Sequence, residues 1–264
     1  MGCGGTGGFA AEGIARLLLG YPQLHLILID GDRVEERNLG RQAYSQEDLG
    51  RFKAQALAER LARKHRTPVA YSISPLQVKK HDLGRGPLTD CALVIGCVDN
   101  APARAAIASH ITRSMWWLDA GNGSEFGQLL IGNSTIEELK TIKGAFDAEK
   151  GICHGLPLPT LVRPELLVRP GAGPNSSPRQ SETGTELSCA EAVADRTQGP
   201  TINQAMAFLV VETVRRLLEG RLTWWQAYLE LGTMSLRTVP VELGPVARLL
   251  GIREEKLLAI PKGG

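Results

Sequence analysis

The stretch Gly2-Cys3-Gly4-Gly5-Thr6-Gly7-Gly8, running into 9–19 and then into an apolar run over 24–29 that ends at Asp30-Gly31-Asp32, decides how this chain is read. Glycine tolerates positive φ and lets backbone N–H groups come close to a polyphosphate at a helix N-terminus, so the opening reads as a phosphate-cradling turn. Ile14, Leu17 and Leu18 stand at helical spacing behind it. A strand over 24–29 puts Asp30 and Asp32 at its carboxyl end, the edge at which open α/β sheets bind ligands. The turn alone is a weak signal, because glycine loops also make plain tight turns and an acid such as Asp30 suits the ribose of a redox dinucleotide. Arg41 and Lys53 shift the balance. Two cations near a phosphate loop suit triphosphate chemistry, where charge must be neutralised as pyrophosphate leaves, whereas hydride transfer has no such need.

Outward from this stretch, strand-like runs alternate with helical patterns. Ala54, Leu57, Ala58 and Leu61 mark the buried stripe of a helix that carries Lys53 on its first turn. Strands are expected over 69–73, 92–96, 115–119 and 128–131, with a helix over 101–113 bridging two of them. The pattern predicts an α/β fold: a doubly wound, Rossmann-like, mostly parallel sheet with a C-terminal antiparallel extension, in a single domain. Asp99, in Gly96-Cys97-Val98-Asp99-Asn100, ends a strand on the same sheet edge as the glycine turn. It is placed to hold a Mg²⁺ bridging phosphate oxygens, or Asp99 or Asn100 simply caps the next helix. Residues 1–135 thus form a nucleotide-binding half.

The second half, 136–264, changes character. Proline, glycine, serine and threonine dominate 155–186, so a long mobile loop over about 155–188 is the natural reading. Thr201-Ile202-Asn203-Gln204 fits a capping box, followed by one apolar helical face from Ile202 to Leu218 that ends at Gly220. A hairpin over 228–231 and 236–242 and a short helix over 246–250 close the chain.

Composition narrows the function classes. Lys plus Arg number 30 against 28 Asp plus Glu, a net charge of +2, too little to hold nucleic acid or an anionic membrane by field alone. The apolar stretches, such as 205–211, fall far short of the roughly 20 residues of a membrane-spanning helix. With no basic region leading into an apolar one at the N-terminus, the expected address is the cytoplasm. Five widely spaced cysteines, none in a Cys-x-x-Cys pair, read as free thiols and not as a disulfide or zinc framework.

Taken in order and spacing, Gly2-x-Gly4-Gly5-x-Gly7, Asp30-x-Asp32-x-Val34-Glu35, Asn38-Leu39-x-Arg41-Gln42, Lys53 and Asp99-Asn100 resemble the ThiF/MoeB superfamily of adenylating enzymes, which includes the ubiquitin-activating enzymes. The finer motifs Asn38-Leu39-Gly40-Arg41-Gln42, Gly96-Cys97-Val98-Asp99-Asn100 and Trp117-Leu118-Asp119-Ala120-Gly121-Asn122 look similar to the ThiF-like proteins of bacterial PRTRC gene systems. The resemblance implies that Gly2, Gly4, Gly5 and Gly7 wrap the phosphates of ATP and that Asp30 takes the ribose. It implies that Asn38, Arg41, Gln42 and Lys53 contact the phosphates and that Asp99 holds Mg²⁺, with Asp32 and Asn100 in the same nucleotide-binding set. It further implies attack of a carboxylate, usually the C-terminal glycine of a ubiquitin-like or sulfur-carrier protein, on the α-phosphate, in a homodimer.

Cys189, in Leu187-Ser188-Cys189-Ala190-Glu191, stands where single-domain relatives can carry an acyl-accepting cysteine, and is otherwise a small buried residue. Cys153 beside His154 is a second candidate thiol, while Cys3, Cys91 and Cys97 read as loop or core residues. Trp116-Trp117 and Trp224-Trp225 read as core or dimer-interface aromatics. Three departures stand out: no apolar strand precedes the glycine turn, which would leave central backbone groups unpaired; no N-terminal extension offers a trans arginine; and the zinc cysteines of many relatives are missing. Two rival readings follow from these residues: adenylation of a small-molecule or RNA-linked carboxylate, and a non-catalytic dimeric scaffold of the same fold.

Overall fold

The computed structural model describes residues 1–74, 92–112, 115–135, 146–147, 152–153, 155–168 and 199–257. Helix α1 (Gly5–Leu17) begins inside the glycine stretch and not after it, so the turn proper is Gly2 to Gly4. Strand β1 (Ile27–Ile29) is shorter than expected and pairs in parallel with β2 (Ala70–Ser72). Between them lie α2 (Glu36–Leu39) and α3 (Lys53–His65). Helix α3 buries Ala54, Leu57, Ala58 and Leu61 as its spacing predicts and collects Arg63 and Lys64 in its last turn, where cations complement the helix dipole.

A second sheet has the order β3-β4-β5-β8-β9. Strand β3 (Leu93–Gly96) runs parallel to β4 (Trp116–Asn122), the two linked by α4 (Ala101–His110). Beyond β4 the pairing turns antiparallel through β5 (Phe126–Gly132), β8 (Trp224–Glu230) and β9 (Ser235–Pro240), the expected C-terminal extension. A two-residue pair, β6 (Phe146–Asp147) and β7 (Ile152–Cys153), stands apart.

Among the described residues no full strand stands between β1 and β3; residues 1 and 2 bridge them. Gly2 N donates to Ile29 O at 3.0 Å and Cys97 N to Met1 O at 2.9 Å, while the amino group of Met1 donates to Ile95 O at 2.7 Å. Those central backbone groups, expected to lie unpaired, thereby find partners. Gly2 must be glycine here: its φ is +77°, and a Cβ would lie 2.4 Å from Cys97 O.

Helices cover both faces of the large sheet. On one, α6 (Pro200–Leu218) and α1 pack together and bury Leu118, Ala120, Leu129 and Ile131. On the other, Ile107 of α4 and Leu158 meet Trp117 and Val94. Trp117 and Trp225 are core residues, as the sequence suggests.

Two second-half expectations need correction. Residues 155–168 are not loop throughout: they form α5 (Pro159–Val162) and a 3₁₀ turn at Pro164–Leu167, because Leu156, Leu158 and Leu166 find apolar cover. The remainder of the expected mobile loop lies outside the described residues. Nor does Thr201 cap α6; the helix starts two residues earlier, with Gly199 as N-cap and Pro200 in the first helical position, where the absent N–H costs nothing. The hairpin β8–β9 and the last helix, α7 (Leu243–Leu250), appear as expected, the latter three residues longer at its start.

Candidate functional site

The carboxyl ends of β1, β3 and β4 open onto a cleft of about 720 Å³, within the range of ordinary small-molecule sites. Its walls come from the glycine turn, the end of β1, the segment from α2 to α3, the β3–α4 turn and the end of β4. Of the residues expected to bind nucleotide, Gly2, Gly4, Gly5, Asp30, Asp32, Asn38, Arg41, Gln42, Lys53, Asp99 and Asn100 all line it.

Gly7 does not, and the reading of Gly7 as a phosphate contact is corrected. It sits where α1 crosses the turn, so close that a Cβ would lie 1.8 Å from Gly2 O and 3.1 Å from Cys97 Cβ. It is a packing glycine. The first turn of α1 carries no acid and no side-chain cap, so its amide groups remain available to an anion in the cleft.

Asp30 is held by the backbone: Oδ2 accepts from Cys3 N at 2.6 Å and Oδ1 from Asp32 N at 2.8 Å. Burial raises its pKa, while those two N–H groups and Lys53 pull the other way. Each oxygen keeps a lone pair for a ligand hydroxyl. Lys53 is 7% exposed and points back to Asp32, Nζ to Oδ2 3.1 Å, whereas the Asp32 side chain is 75% exposed. Asn38 closes the capping box of α2, its Oδ1 accepting from Glu35 N at 2.9 Å, which leaves its NH₂ free to donate. Gln42 is buried with Oε1 lacking a partner among the described residues.

The question of Asp99 against Asn100 is resolved by geometry. Asn100 caps α4, its Oδ1 accepting from Ala103 N at 2.9 Å, and its amide donates to Asp99 Oδ1 at 3.1 Å. Asp99 stands exposed at the rim, without a capping duty. Among the described residues no cluster of three or more His, Cys, Asp or Glu is present. A lone rim carboxylate fits Mg²⁺, which binds through one or two carboxylates together with substrate phosphates.

Several cleft residues escaped sequence reasoning. Arg37 and Arg104 line the wall, and Arg104 is paired with the buried Asp119. Thr6, Asn122 and Asn203 form a polar knot behind the turn: Thr6 Oγ1 donates to Asn122 Oδ1 at 2.7 Å, Asn122 Nδ2 to Asn203 Oδ1 at 3.0 Å and Asn203 Nδ2 to Arg41 O at 3.1 Å. Asn203 lies 162 residues from Arg41. Only an acid at 119 and an asparagine on a core helix face hinted at either arrangement.

The thiols divide. Cys3 and Cys97 are free and burial pushes their pKa up to about 12 and about 11, so neither is a nucleophile at neutral pH. Cys189, Cys91 and His154 lie outside the described residues, and Cys153 is described in its backbone only.

Residues 1–130 match the ThiF family. Over that span the chain is similar to the family. The chain is 32% identical over 136 residues to ubiquitin-like modifier-activating enzyme 5 of Dictyostelium discoideum, covering 46% of its own length and 34% of that protein. It is 41% identical over 61 residues to the ATP-dependent ubiquitin transferase-like protein Cap2 of Escherichia coli (strain TW11681), covering 23% of itself and 10% of Cap2. The chain therefore spans about a third or less of the curated relatives it matches. Among solved structures, PaaA shares the fold at a TM-score of 0.56 and 18% identity, over 90% of this chain and 70% of PaaA. E. coli MccB, in a crystal structure with ATP, does so at 0.53 and 14%, over 91% of this chain and 61% of MccB. In both, the likeness concerns the fold. Among the described residues no helix is long and apolar enough to cross a membrane.

Proposed function

We propose that this chain is a ThiF-family enzyme that adenylates a carboxylate, using ATP as co-substrate, and that the carboxylate is the C-terminus of a ubiquitin-like or sulfur-carrier protein or peptide. The observation that carries the reading is the convergence of Arg41, Lys53, Asp99 and the α1 N-terminus, from four separate stretches of chain, on one cleft. The ATP-bound MccB fold and the ubiquitin-activating relative support it.

In this reading Asp30 accepts the ribose hydroxyls. The phosphates lie over Gly4, Gly5 and the first-turn amides of α1. Arg41, Lys53, Gln42 and the Asn38 amide then surround their oxygens. Lys53 exchanges Asp32 for phosphate, and the exposed Asp32 carboxylate returns to water at little cost. Asp99, with Asn100 steadying it, would hold Mg²⁺, which when bound supplies charge neutralisation at the phosphate oxygens. A substrate carboxylate oxygen attacks the α-phosphorus and forms a new P–O bond. The bond from that phosphorus to the bridging oxygen breaks, its electron pair leaving with pyrophosphate. No proton changes hands. The chain's task is alignment and charge stabilisation. A later transfer belongs to the same proposal: the Cys189 sulfur forms a bond to the acyl carbon, the carbon–oxygen bond to AMP breaks with AMP as leaving group, and the thiol proton passes to water.

ATP–pyrophosphate exchange in the presence of candidate carriers tests this. Carrier-dependent label in ATP is the expected result; a folded protein that neither binds ATP nor exchanges pyrophosphate with any carrier overturns it.

A further inference from the structure

The Arg104–Asp119 pair has no part in the nucleotide contacts above. Arg104 is 5% exposed and Asp119 fully buried, and Arg104 Nε donates to both Asp119 oxygens at 3.1 and 3.2 Å. Removing such a pair from water is costly, and the mutual attraction offsets the cost only when the remaining donors also find acceptors. A guanidinium has five N–H donors, of which this one spends only Nε on Asp119. Among the described residues neither Nη1 nor Nη2 makes a hydrogen bond.

The surroundings show which way the remaining donors face. A Cβ at Gly121 would lie 3.1 Å from Arg104 Nη2, so the absence of a side chain there leaves that edge of the guanidinium uncovered. Arg104, Gly121, Ala103 and Asn122 all line the cleft. In the order of the sheets, Asp30 ends β1, the glycine turn follows beside it, then β3, and Arg104 with Gly121 belongs to the β4 side. At about 4.8 Å per strand position, the ends of β1 and β4 stand about 14 Å apart with the glycine turn between them, and Arg104 is bound to Asp119 of β4. A nucleotide whose ribose rests on Asp30 reaches the turn with its phosphates, leaving Arg104 beyond them.

We propose that the uncovered edge of the Arg104 guanidinium binds the carboxylate of a peptide C-terminus and holds it against the α-phosphate, with Asp119 fixing the plane of the fork. The proposal rests on the adenylation reading and adds the residue that recognises the second substrate. A carboxylate approaching a triphosphate meets like charge, and a guanidinium offers it two parallel, charge-assisted hydrogen bonds. The guanidinium also stays charged at every working pH.

The test uses the Arg104 Nε resonance of the ¹⁵N-labelled chain, with the ATP analogue AMPCPP, diglycine, and diglycine amide as the control without a carboxylate. In the AMPCPP-bound chain, diglycine should shift the Arg104 signal and its amide should not. A chain that does not bind AMPCPP overturns the adenylation reading and this proposal with it. A chain that binds AMPCPP but whose Arg104 signal ignores diglycine, or responds fully to AMPCPP alone, overturns this proposal and leaves the reading intact. In exchange driven by an active carrier, Arg104→Lys should raise the KM for carrier about 10- to 100-fold and leave the KM for ATP within about twofold. A rise confined to the KM for ATP would assign Arg104 to phosphate.

Discussion

Lys53 combines burial with a partner it can give up. Its ammonium rests on an exposed carboxylate, so the ion pair contributes about 0–1 kcal/mol and Lys53→Met, which keeps the buried stem, should cost little stability. If it meets developing phosphate charge, pyrophosphate exchange should fall about 100-fold or more in the same variant. Urea unfolding and exchange rates measured side by side separate the two effects. Asp99 is similar, because Asn100 alone caps α4. Asp99→Ala should raise the Mg²⁺ concentration needed for half-maximal exchange while its thermal midpoint stays that of the wild type. Cys3 and Cys97 give the alkaline behaviour. Burial raises their pKa from the usual 9.0 to about 12 and about 11. Between those limits the folded chain keeps protons that the unfolded chain gives up. Their contribution is therefore complete below pH 9.0 and is lost as the pH climbs through about 11 and 12. Denaturation midpoints at pH 8 and above should decline along this course, less steeply in Cys3→Ala; an unchanged slope in that variant removes the thiol from the account.

At the scale of elements, α6 is tied to the start of α1 by the Thr6–Asn122–Asn203 knot, which also reaches the carbonyl of Arg41. Asn203→Leu would leave Asn122 and the Arg41 carbonyl short of partners. It should destabilise the chain by about 1–3 kcal/mol and weaken ATP binding, since the turn and the Arg41 segment lose their common anchor. Calorimetric titration with AMPCPP and a denaturation curve of the same sample would show both losses; full retention of nucleotide affinity would disconnect α6 from the site. The glycines divide the same way. Gly7→Ala forces a Cβ against the backbone of Gly2, which has nowhere to move, whereas the Cβ of a Gly4→Ala variant meets only Gln42 Nε2 at 3.7 Å. Folding should suffer in the first and survive in the second.

Across the whole molecule, a single apolar cluster joins Ala10 and Ile14 of α1, Leu118 of β4, Leu129 and Ile131 of β5, and Met206 and Val210 of α6. The nucleotide-binding half therefore depends on a helix contributed by the other half. A fragment of residues 1–135 should expose that face and fail to give the dispersed amide spectrum of a folded domain. A well-dispersed spectrum from the fragment would mean that the halves fold independently.

Much of this was legible from local pattern. A glycine turn before helical spacing, acids at the end of a strand and a cation on the first turn of α3 are short-range features, and the rim they form depends only on strands ending where their apolar runs end. The amphipathic stripe of α3 and the hairpin β8–β9 were equally readable, because each follows from periodicity or turn chemistry within one segment. Tertiary structure alone decided the rest. The start of α6 went to Gly199 and Pro200 instead of Thr201, Gly7 became a packing contact, and Arg104 was joined to Asp119, Asn203 to Arg41 and residues 1–2 to β1 and β3. Each depends on which backbone or side chain lies opposite, and that is set by how whole elements stack to bury one core, not by the order of residues along any one of them.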